Sequence, residues 1–594
     1  MRKKSLRWPV AAALLSLAVA VPMASMGFGG GRGGPPPAFI EQGYNDHQHM
    51  MDALGIKTLR PGKNGQNQTG PGFDEATADI MFKSMPDMMK FHDGTKVTSA
   101  DQWPKRRAEI VADFESEVYG KIPANVPAVN WEIGAPQERD VGGIPTITYT
   151  LTGHVDNSAF KDITVDISGS VTVPKNAAGP VPVMIEFGGF GGGGGGGGRG
   201  GRGGRGGAGG APGGAPAAPA AAPAPGGGAT GPSQFQEFFV AAPGAPAGAP
   251  AGGPGGPGGP GGGRGFGGGG FGGGGGAGGF GGGGGGAGGG FGGGGFGGGG
   301  RGGRGPGGPG WQQIAIEHGW GYGSINPGSI QADSGGNSLR QGIIGLTNKG
   351  QPRKPDDWGA LRAWQWGVSQ MIDMFQAHPE LHVNPAGVGI EGVSRYGKAA
   401  LVTEAFEPRV AVALVGSSGE GGAKLHRHDF GESVENLTDQ SEYHWMAGNF
   451  LKYGAADING KVMTAEDLPV DSHELIALCA PRPVMISYGI PQPQTGGGIG
   501  DPAWVDAHGS FMATILAGQA YTLLGKKDLG IPYADYQTVK MPEIKQLVGG
   551  DLAWRQHEGG HEVTPQWPTF FTWIGNYVKS TPIQAAPAAA QPAN

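Results

Sequence analysis

A tract of glycine from Gly188 to Gly310 sets the first limit on what this chain can fold into. It holds roughly 70 of the chain's 127 glycines, in runs broken mainly by Phe, Arg, Ala and Pro, far beyond the glycine share of ordinary globular sequence. A segment of this kind cannot bury enough apolar surface to offset the entropy of ordering it, so it is expected to be a disordered insertion. Glycine does not recur at every third position, which excludes a collagen triple helix. Gln234 to Val240 forms the one apolar island in the tract. The rest, about 470 residues of ordinary composition, suffices for one large domain or two modest ones.

Partners are limited by charge. Arg and Phe scattered through glycine also occur in RNA-binding tails, but 43 basic against 49 acidic residues give a net charge of -6, which supplies no field for nucleic acid or anionic lipid. Cys479 is the single cysteine, which excludes an intramolecular disulfide framework and a cysteine-based zinc cluster. At the amino end, Arg2, Lys3, Lys4 and Arg7 precede an apolar stretch from Pro9 to Val21, with small residues at Ala18, Ala20 and Ala24. That pattern reads as an export signal over 1–24. The stretch is short for a membrane span, so a secreted or periplasmic protein without stable membrane association is expected. A disordered leader over 25–85, one ordered domain over 86–580 interrupted by 188–310, and a disordered tail over 581–594 complete the expected organisation.

Within the ordered blocks, helical spacing over Pro104–Tyr119 leads into β-branched or alternating runs at 131–133, 146–151 and 163–173, and into the short apolar run Val181–Phe187. After the tract, 311–325 passes from helix to strand and Asp356–His378 reads as a long amphipathic helix. Strand-like runs at 386–391, 410–415 and 483–488 alternate with helices expected at 507–524 and 569–579. Such alternation predicts an α/β fold, a mainly parallel sheet between two helical layers. The blocks on either side of the tract would then share one sheet.

The sharpest local signal is Val388-Gly-Ile-Glu-Gly-Val-Ser394-Arg-Tyr-Gly-Lys398. A buried strand, a tight turn carrying Ser394 between Gly392 and Gly397, and an Ala-rich helix form the layout of a nucleophile elbow. An ordinary strand-to-helix turn with a serine cap shares that spacing, and the second glycine follows Ser394 by three residues where the usual pattern has two. A serine nucleophile needs a histidine base and an acid to orient it. His561 lies in His557-Glu-Gly-Gly-His561-Glu562, close to the carboxyl end. The same letters spell His-Glu-x-x-His, a zinc motif that needs both histidines on one helix face. Gly559-Gly560 and the following Val-Thr-Pro oppose a helix there, so no metal and no cofactor are expected. The acid candidates are Asp501 and Asp506, after the strand at 483–488.

Taken together, these motifs resemble the glucuronoyl esterases of carbohydrate esterase family fifteen. The resemblance runs from about His92 to Val578 outside the tract. It includes Val118-Tyr-Gly-Lys-Ile-Pro123, Trp364 to Trp366, Ser418-Gly-Glu-Gly-Gly422, Ala480-Pro-Arg-Pro483 and Gly559-Gly-His-Glu-Val-Thr-Pro565. It implies an α/β-hydrolase, a three-layer sandwich, acting as a serine esterase on 4-O-methyl-glucuronoyl esters such as those linking lignin to glucuronoxylan. It further implies Ser394 as nucleophile, His561 as base, Arg395 beside the oxyanion, Lys398 and Glu432 as sugar ligands and Trp504 as the aromatic lining the uronate site. Many members carry the acid just before Ser-Gly, where this chain has Ser417; an acid after the later strand favours Asp501. An acetyl xylan esterase or general carboxylesterase is the alternative activity. A noncatalytic glycine-rich wall protein is the alternative of another class.

Overall fold

The computed structural model describes residues 36–65, 68, 72–78, 84–188, 310–490 and 503–583. The export signal, the interior of the glycine tract at 189–309, Asp501 and the last residues of the tail lie outside them. Among the described residues no helix is long and apolar enough to cross a membrane.

In chain order the strands are β1 (Val129–Ile133), β2 (Gln137–Val141), β3 (Ile144–Val155), β4 (Asp166–Pro174), β5 (Val181–Phe187), β6 (Gly321–Ile325), β7 (Val383–Val393), β8 (Val412–Gly416), β9 (Val484–Ile490), β10 (Leu547–Gly549) and β11 (Leu552–Glu558). They form one sheet in the order β1-β3-β4-β6-β5-β7-β8-β9-β11-β10, with β2 paired to β3. From β6 through β11 neighbours run parallel, whereas the flanks β1 to β4 and β10 are antiparallel. The central strands are buried along both faces, as in β8, which is why they read as continuous apolar runs. Successive residues feed two separate apolar clusters. Ala413, Val415, Val484 and Ile486 join the cluster packed by helices Ala360–Ala377, Arg395–Phe406 and Ala507–Leu523. Val412, Leu414 and Met485 join the one packed by Trp311–Glu317 and Trp567–Ile574. The expected three layers are these.

Two expectations need correction, and one strand went unread. Much of the leader is folded: helix Asp46–Leu54 buries Met50 and Met51, and Arg60 binds Glu435 and the carbonyls of Tyr453 and Met463. Its apolar anchors are few and irregularly spaced, and charge pairs with distant residues do much of the fastening, so periodicity does not reveal it. The tail begins later than expected, since Ile583 donates its amide to Glu317 and packs on Ile144 and Ile316. Strand β11, absent from the reading of apolar runs, carries His557 and Glu558. The His-Glu-x-x-His letters therefore begin on a strand, and they do not place two histidines on one helix face.

Candidate active site

Strand β7 delivers the chain to Ser394, whose backbone sits at φ 63° and ψ −129°, a conformation that costs on the order of 1–3 kcal/mol in a residue with a side chain. The turn is held by the Ser394 amide donating to Gly416 at 3.0 Å and by the Lys398 amide donating to the Ser394 carbonyl at 3.0 Å. Its glycines are demanded by close approach. A Cβ at Gly392 would lie 2.1 Å from the Tyr396 oxygen, and one at Gly397 would lie 2.3 Å from the Gly416 oxygen. The second glycine thus follows Ser394 by three residues because that is where the helix crosses the end of β8.

Arg395 opens helix Arg395–Phe406 and turns its guanidinium to Asp333 at 2.6 Å. The same carboxylate bonds His444 Nε2 at 2.9 Å and accepts from Trp445 Nε1 at 2.7 Å. Burial alone would raise the Asp333 acid, but His444 and Arg395 outweigh it and hold it well below the usual carboxylate range. Arg395 also lies over the Trp445 ring, 5.6 Å from its centre, as does the Lys398 ammonium. Sequence reasoning did not find Asp333, His444 or Trp445; they lie 49 to 62 residues from Arg395 in the chain and leave no spacing signature.

Lys398 and Glu432 come together, but as an internal pair. The Lys398 ammonium is 2.9 Å from Glu432 Oε2 and 2.7 Å from the Ser418 carbonyl, both side chains are buried, and the Glu420 amide donates to the same Oε2. Beside them stands Glu442, another residue the sequence reading missed. Its Oε2 is buried without a partner, and burial, reinforced by the charge of Glu432, pushes its carboxyl up to about 8. Trp504 is half-buried, stacks on Phe73 and accepts the Glu432 amide at its carbonyl.

His561 sits exposed on the loop after β11. That loop crosses the carboxyl end of β9 closely: a Cβ at Gly489 would lie 1.9 Å from the Gly560 oxygen. His557, by contrast, is buried, with Nε2 3.0 Å from the Glu562 carbonyl. Asp506 is wholly buried. It caps helix Ala507–Leu523 through the Gly509 amide and binds His428 Nδ1 at 2.5 Å, so its carboxylate is committed to structure. Ser417, at φ 44°, is buried at the end of β8 and donates its amide to Ser487.

A mainly parallel sheet with a serine at a strained strand-to-helix turn on its carboxyl edge is the frame of an α/β-hydrolase. A glucuronoyl esterase of carbohydrate esterase family 15 from Teredinibacter turnerae superposes with a TM-score of 0.62 and 30% identity, over 89% of this chain and 98% of that one. The chain belongs to this family of glucuronoyl esterases. The family described as "Glucuronyl esterase, fungi" matches residues 353–497. Carbohydrate esterase MZ0003, from an unidentified prokaryote, is 31% identical over 272 residues, 45% of this chain and 56% of that protein. A 4-O-methyl-glucuronoyl methylesterase of Schizophyllum commune is 37% identical over 172 residues, 28% of this chain and 39% of that protein. The chain thus spans about half, or less, of the length of these curated relatives.

Proposed function

We propose that this chain hydrolyses esters of 4-O-methyl-glucuronic acid, with Ser394 as nucleophile, His561 as base and Asp501 as the acid that orients it. Ser394 Oγ attacks the ester carbonyl while His561 takes its proton. The oxyanion that forms lies by the Arg395 amide at a helix N-terminus and by the Arg395 guanidinium, whose charge strengthens the hydrogen bonds offered. Collapse expels the alcohol, which takes the proton from His561, and water then releases the acyl group by the same path in reverse. Lys398, Glu432, Glu442 and Trp504 line the sugar side, and a glucuronoxylan carrying lignin-derived alcohols is the substrate this reading implies.

The observation that carries the proposal is the strained turn at Ser394 with the Asp333-held guanidinium of Arg395 directly after it. A benzyl ester of glucuronic acid should be turned over in preference to aryl acetates, and Ser394→Ala should cut that rate by about a thousandfold or more while leaving the thermal transition within a few degrees. Retention of a tenth of the rate, or a preference for acetate, would count against it.

A further inference from the structure

Away from Ser394, three side chains from three distant segments converge. Glu75 stands on the short helix Glu75–Ala78, His428 on the loop leading to Glu432, and His508 in the first turn of helix Ala507–Leu523. His428 Nε2 is 3.3 Å from Glu75 Oε1, His508 Nδ1 is 2.5 Å from the same oxygen, and the ligand atoms of all three lie within 4.8 Å of one another. We propose that Glu75, His428 and His508 form a binding site for a divalent zinc-class metal ion, which clasps the amino-terminal segment to the two loops that carry Glu432 and Trp504.

Donor chemistry favours this assignment. Two imidazoles and one carboxylate suit zinc, and ligand atoms on a tetrahedral zinc with bonds of about 2.0–2.1 Å stand roughly 3.3 Å apart. His428 and Glu75 already have that separation; His508 and Glu75 need to part by somewhat under an ångström. His428 is aimed by its other nitrogen. Asp506 binds Nδ1 at 2.5 Å and is itself locked by the Gly509 amide, the carboxylate–histidine arrangement that orients metal-bound imidazoles. His428 is fully buried, whereas Glu75 and His508 keep 31% and 17% of their side chains exposed, which leaves an entry path and room for a water ligand. The His508–Glu75 contact closes a loop of 433 residues, so no local motif announces it. The surroundings say what a metal would secure: the Gly431 amide donates to Gly72, and Phe73 packs on both Phe430 and Trp504. This inference is independent of the esterase reading.

The test uses the full chain, stripped with a chelator and titrated with Zn2+ by calorimetry and with Co2+ by visible absorption. One saturable site per chain is expected, with the intense bands of a four-coordinate cobalt and a thermal transition that rises with added zinc. Glu75→Gln and His508→Ala should each weaken binding at least about tenfold and abolish the thermal gain, with folding checked by circular dichroism. His154→Ala, in an exposed cluster with Glu132 and Asp166, should change neither. Absence of saturable binding, or binding that survives both Glu75→Gln and His508→Ala, would overturn the proposal.

Discussion

The role proposed for Arg395 beside the oxyanion depends on how its guanidinium is oriented, and Asp333 sets that orientation. Asp333 gathers Arg395, His444 and Trp445 onto a single carboxylate. Asp333→Asn removes the charge that holds the guanidinium but keeps the shape. The expected result is a fall in kcat on a glucuronate ester of about ten- to a hundredfold, since oxyanion donors act mainly in the transition state, with KM moving far less; steady-state kinetics separates the two. At this scale the sequence spoke clearly only where chemistry is local. Ser394, Arg395 and Lys398 fall within one turn and helix start, and close packing fixes the glycines around them. Asp333, Glu442 and Trp445 reach the same place from other segments, and nothing in their spacing marks them. The pairing of the Glu432 carboxylate with buried Lys398 likewise has no mark in the spacing.

Elements differ in how they are fastened. Helix Asp46–Leu54 is tied to the domain by Asp46 and Arg353, 3.2 Å apart with both side chains fully buried, while Arg353 also donates to the Met446 carbonyl at 2.7 Å. Asp46→Ala strands a buried cation and should lower the unfolding free energy by about 3–5 kcal/mol, measured by denaturant titration. Strands β5 and β7 carry a second electrostatic feature, for Glu186 and Glu391 are register partners. Burial pushes Glu186 up to about 7 from its ordinary 4.5. Burial, with the charge of Glu186 added, raises Glu391 as well. A raised acid favours the folded state fully below about pH 4.5, and that contribution is lost as pH climbs through the folded value. Wild-type Tm should therefore drop between pH 5 and pH 8, and Glu391→Gln should flatten the drop; a slope unchanged in the variant would refute the assignment. The parallel strands were legible because burial on both faces makes them uniformly apolar. Strand β11 was not, since Arg555, Gln556 and His557 interrupt its apolar run; all three are buried, Arg555 and His557 with polar partners.

Across the whole molecule, the glycine tract joins β5 to the helix Trp311–Glu317 and so to β6, a parallel neighbour of β5. A crossover between parallel neighbours needs only about a dozen residues, its helix included. Replacing 191–308 with about 15 Gly/Ser residues should keep the thermal transition and leave kcat/KM within about twofold, because closure entropy varies slowly with loop length. A soluble, folded and inactive product would show that the tract contributes to the site. The strand order has a further consequence. Strand β6 lies between β4 and β5, two strands made before the tract, while β6 is made after it. At a synthesis rate of about 5–20 residues per second, residues 189–309 occupy the ribosome for roughly ten seconds. Throughout that interval β4 and β5 wait beside an empty slot, their facing edges open to pairing with other chains. The β4-β6-β5 part of the sheet therefore cannot close from the amino end as the chain emerges, and it waits until translation has passed Ile325.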